Sequence, residues 1–97
     1  MPEVKNQKSK TEKETKVHEI SEVDREQIKK IAAKAKLLRV EKGYTYESFA
    51  LHAGINRNSY FRFERSASTG DNYTIALLIK ITRGLNISLS DFFLDFK

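Results

Sequence analysis

Apolar residues recur through residues 28–38 at helical spacing. Ile28, Ile31, Ala35 and Leu38 form a 3-4-3 stripe with Lys and Arg on the other side, which predicts an amphipathic first helix. Ser21 opens it, with Asp24 completing a capping-box-like start and Glu22, Asp24 and Glu26 near its positive end. Lys42 stands in its last turn and Gly43 supplies the left-handed stop. A second helix is predicted over Tyr46–Ala53, capped by Thr45, with Phe49 and Ala50 inward and Gly54 ending it. Ile55 is an apolar plug in the turn, and Asn56 caps a third helix running to Arg65. Ser66–Asn72 reads as a loop. Thr74 then caps a fourth helix, Ile75 to about Gly84, whose buried edge is Ile75, Leu78, Ile81 and Leu85. Ser88 with Asp91 opens a short fifth helix through Phe92 and Phe93. The expected fold class is all-α, five helices over residues 21–97.

The third helix separates into two faces at about 3.6 residues per turn. Tyr60 and Phe63 point to the core, while Asn58, Phe61, Arg62 and Arg65 fall opposite, with Arg57 on the flank of the first turn. The first helix is preceded by residues 1–20, rich in Lys, Glu, Thr, Ser and Gln. With almost nothing apolar to offset its ordering entropy, this stretch is expected to be a flexible charged tail. It reads either as a solubilising segment or as an arm that orders along DNA.

Charge sharpens the picture. The chain carries 18 Lys and Arg against 13 Asp and Glu, net +5, and the excess sits in the first two thirds. Such asymmetry suits an anionic partner, nucleic acid before membrane, although Lys-rich solvated helices produce it too. With no cysteine, neither a disulfide framework nor a thiolate metal site is available. No apolar run approaches the roughly 18 residues that span a bilayer, and the first twenty residues lack a signal-peptide core. A cytoplasmic protein without membrane attachment is expected. His18 and His52 are isolated, no glycine loop cradles phosphate, and no carboxylates cluster at metal-ligand spacing. No enzyme activity and no cofactor are expected.

The segment LRVEKGYTYESFALHAGINRNSYFRFER, followed by TIALLIKITRGLNISLSDFF, resembles the Cro and lambda-repressor type of helix-turn-helix domain, often called XRE-like. The resemblance covers roughly residues 33–94. Its physical content is a set of offsets. Ala50 is small where two helices cross, Gly54 permits the positive φ that reverses the chain, and Ile55 and Phe63 fill the wedge between helices. An Arg near the end of the first helix and a Glu near the end of the recognition helix pair in the family. Arg39 and Glu64 occupy those positions, and the alternative is that both are surface charges.

The resemblance implies a sequence-specific regulator of transcription, a repressor, binding duplex DNA with helix 56–65 in the major groove. Carried over position by position, it makes Arg57, Asn58 and Arg62 candidates for base edges, because Arg matches the two acceptors of guanine and Asn can pair with adenine. Tyr46, Asn56 and Arg65 become candidates for phosphates. Departures stand beside these matches. Tyr46 replaces a common Gln, and Ser66 stands where Gly is usual. Phe61 replaces a small or polar residue, to contact either a thymine methyl or a protein. The C-terminal Phe92, Phe93, Leu94 and Phe96 are too apolar for a solvated terminus and pack either on the core or against a partner; with the two-fold logic of the motif they suggest a homodimer on a palindromic operator. Two other readings remain open: an antitoxin-type regulator that also holds a small protein partner, and an interaction module that keeps the shape without binding DNA.

Overall fold

Five short polar side chains mark where helices begin in the computed structural model, which describes residues 20–96. Ser21 precedes α1 (Glu22–Glu41), Thr45 precedes α2 (Tyr46–Ala53), and Asn56 precedes α3 (Arg57–Thr69). Thr74 precedes α4 (Ile75–Gly84) and Ser88 precedes α5 (Leu89–Phe92). Each side-chain oxygen accepts from a backbone N–H of the first turn that has no partner within its helix. The distances run from 2.9 Å, for Asn56 Oδ1 from Asn58 N, to 3.2 Å for the same oxygen from Ser59 N. At α2 the cap is reciprocal: Thr45 and Ser48 each accept the other's backbone N–H at 3.0 Å. The described residues are all-helical and contain no strand. The tail expected over 1–20 lies, apart from Ile20, outside the described residues.

The core is built where α1 lies against α3 and α2 lies against α3 and α4. Its deepest aromatic side chains are Phe49, Tyr60, Phe63 and Phe92, joined by Ile81 and Leu85. The expected stripe of α1 is rotated slightly. Ala32, Ala35 and Arg39 are the buried positions, while Ile28, Ile31 and Leu38 lie half-buried on the flanks. Small side chains at the centre let α3 approach closely, and the larger ones close the sides of the seam. A second close approach joins α2 to α4, where a Cβ on Gly84 would stand 2.8 Å from Ala53 Cβ and 3.0 Å from Phe49 Cζ.

Three expectations are corrected. Helix α3 does not end at Arg65 but continues one turn to Thr69. Ser66 is buried there, its hydroxyl donating back to the Phe63 carbonyl, so the polar group is satisfied inside the helix. Gly70, at φ 72°, supplies the left-handed stop, and Arg25 of α1 donates to its carbonyl at 3.2 Å. Ile75 does not belong to the buried edge of α4 and is 64% exposed. In the first turn of α4 it is Leu77 and Leu78, not Ile75, that turn to the core. The third concerns the C-terminal aromatic segment, which packs on the core, the alternative to a partner surface. Phe92 is fully buried in this chain's own core, and Phe93 and Phe96 are half-buried against it, with ring centroids 5.0 and 6.1 Å from Phe92. Lys34 of α1 fastens the segment, donating to the Phe92 carbonyl at 2.6 Å and to Asp95 Oδ1 at 2.7 Å. Of the four residues expected at a dimer surface, only Leu94 is largely exposed.

Candidate nucleic-acid interface

Asn56 sets the start of the surface. Its side-chain oxygen is committed to the N–H groups of Asn58 and Ser59, which leaves its amide NH2 for any outside acceptor. From this cap, α3 turns Tyr60 and Phe63 inward, stacked with centroids 5.8 Å apart. Arg57, Asn58, Phe61, Arg62 and Arg65 are all exposed on the other side. The turn from α2 to α3 is made by Gly54 at φ 71° and by Ile55, which is buried and whose N–H bonds the Ala50 carbonyl at 2.9 Å. A side chain at Gly54 would meet no atom but would carry the strain of the left-handed region.

The outward helix is tied down from behind. Arg39 Nε donates to Glu64 Oε2 at 2.6 Å, Nη2 donates to Oε1 at 3.1 Å, and Nη1 donates to the Tyr44 carbonyl at 2.5 Å. One guanidinium thereby connects the end of α1, the α1–α2 turn and the third turn of α3. The Glu64 carboxylate raises the pKa of Arg39 against the opposing effect of burial. The Tyr60 hydroxyl is buried beside this pair without reaching hydrogen-bond geometry to either partner. Burial, with the adjacent Glu64 carboxylate, pushes its phenol well above the ordinary tyrosine range.

Phe61 does not stand alone. Its ring lies 5.5 Å from that of Tyr46 in the first turn of α2, and the Arg65 guanidinium sits 5.9 Å over it. Tyr46 is half-buried against the core, and its contact with Phe61 links the outer face of α3 to α2. Arg57 also has a companion that sequence spacing did not reveal: Glu47 Oε2 lies 3.7 Å from Arg57 Nη1. Ten residues separate them along the chain, and no local periodicity relates the two.

Beside the helix an open groove of about 660 Å3 runs between α3 and the segment leading into α4. Arg62, Arg65 and Lys80 contribute cations to its walls and Asp71 one carboxylate. His52 lies apart from this surface, stacked on Tyr44 at 4.9 Å with Nε2 3.1 Å from the Gly84 carbonyl. Among the described residues, no group of three or more His, Cys, Asp or Glu side chains is placed to hold a metal ion. No described helix is long and apolar enough to cross a membrane. Comparison with protein-family models, curated proteins and solved structures gives no match to this chain.

Proposed function

We propose that this chain binds duplex DNA sequence-specifically, as a transcriptional repressor of the helix-turn-helix kind, with the outer face of α3 in the major groove. The observation that carries the reading is the division of labour on α3. Tyr60, Phe63, Glu64 and Ser66 are used up in the core or in ties to α1, while Arg57, Asn58, Arg62 and Arg65 make an exposed row of donors. Donors on a rigid helix suit base-edge recognition, since each good bidentate pair contributes about 1–3 kcal/mol of discrimination. Arg57, Asn58 and Arg62 are assigned to bases. Arg65, the Asn56 amide and the free N–H groups that open α2 beside Tyr46 are assigned to phosphates. Phe61, in contact with Tyr46, is assigned to a thymine methyl.

Binding as a homodimer follows from the two-fold half-site logic of such motifs. Leu94, 79% exposed within the fastened C-terminal segment, supports a contact between copies there. Selection from a random pool of duplexes tests both parts. A palindromic consensus is expected; a single half-site would remove the dimer, and the absence of any enrichment would overturn the DNA reading.

A further inference from the structure

Glu47 places a carboxylate beside the first donor of the exposed row on α3. It stands in the first turn of α2, exposed, 3.7 Å from the guanidinium of Arg57 at the start of α3. Both side chains are more than half exposed, at 56% and 66%, so water competes for the pair and it adds little to stability. Its consequence lies in the donor and acceptor pattern that the two groups present together.

A guanidinium holds five N–H donors in a planar fork and a carboxylate only accepts. In the major groove a G·C pair displays two acceptors, guanine N7 and O6, followed by one donor, the cytosine N4 amino group. Arg57 and Glu47 side by side offer the complement: donors for the purine and an acceptor for the pyrimidine. An A·T pair is wrong for both. It turns the adenine amino donor toward the guanidinium and the thymine O4 acceptor toward the carboxylate.

We infer that Glu47 and Arg57 act as one two-part reader of a single G·C base pair, with Glu47 a specificity-determining residue. Off its site, the same carboxylate faces phosphates and acceptors, so Glu47 also weakens binding to unrelated DNA. The inference rests on the DNA reading proposed above and assigns one side chain a task within it.

The test uses the full chain, its selected duplex and a scrambled duplex. Arg57→Ala first identifies the base pair whose preference depends on Arg57, and that pair is then changed from G·C to A·T. The parent is expected to prefer G·C there by tenfold or more. Glu47→Gln and Glu47→Ala should each reduce that preference about tenfold, raise affinity for the scrambled duplex severalfold, and leave every other position as it was. Unchanged discrimination in both variants, a uniform change at all positions, or no position dependent on Arg57 overturns the inference while the DNA reading stands. A parent that does not separate the selected from the scrambled duplex overturns both.

Discussion

Arg39 grips both carboxylate oxygens of Glu64, at 2.6 and 3.1 Å, and the two side chains are only 10% and 11% exposed. The pair joins the last turn of α1 to α3 at a place where both charges are largely withdrawn from water. Cutting one partner from such a pair costs about 3–5 kcal/mol, because the other charge stays buried without compensation. Glu64→Ala and Arg39→Ala are therefore expected to lose that much in urea unfolding. The double replacement Arg39→Met with Glu64→Leu, which buries no charge, should be more stable than either single variant. Equal stability of Glu64→Ala and the parent would show that the pair does not hold α3.

The three outward arginines should divide under the proposed DNA reading. Arg57→Ala and Arg62→Ala are expected to cost about 1–3 kcal/mol on the selected site and to relax preference at one base pair each. Arg65→Ala should weaken all sequences alike and lower the salt slope by about one. Fluorescence anisotropy over a salt series separates the two patterns. If all three variants bound the selected site as tightly as the parent, α3 would not be the element in the groove.

Gly84 is the test of packing between α2 and α4. On helix propensity alone, Gly84→Ala should stabilise by up to about 1 kcal/mol. The new methyl would press on Ala53 Cβ at 2.8 Å and on the Phe49 ring at 3.0 Å, and overpacking of this kind costs about 1–3 kcal/mol. Net destabilisation is expected in chemical denaturation, partly relieved by Ala53→Gly in the same chain. A more stable Gly84→Ala would mean that the two helices separate at little cost.

The hold of Lys34 on the C-terminal segment depends on pH. The Lys34 ammonium beside Asp95 keeps that carboxyl below its ordinary pKa. A lowered native value stabilises the fastened form above the ordinary carboxylate pKa of about 4. The contribution is lost as pH falls through the lowered value. The ring resonances of Phe96, whose ring lies 5.5 Å from the Lys34 ammonium, should move together with the Asp95 titration in that acid range. Lys34→Met should shift that titration back toward the ordinary value. A titration unchanged by Lys34→Met would exclude the ammonium as its cause.

What capping and periodicity could read from the chain was local; the pairing of Arg39 with Glu64, 25 residues apart, came from the family resemblance. Ser21, Thr45, Asn56, Thr74 and Ser88 announce helix starts because a cap bonds an N–H two or three residues ahead. The outward set Arg57, Asn58, Phe61, Arg62 and Arg65 follows from helical periodicity, which needs only one element to operate. Three-dimensional structure decided the rest. Whether Ser66 ends a helix or continues it depends on burial against α1 and on Arg25 at the helix end. Phe92 and Ile75 look alike as apolar residues near helix ends, yet one is in the core and the other in solvent. Their difference lies in what other segments happen to cover. Glu47 beside Arg57, and Lys34 beside Asp95, are further pairings of that kind. Periodicity and capping act within a few residues, whereas a cross-chain contact exists only after the helices have packed.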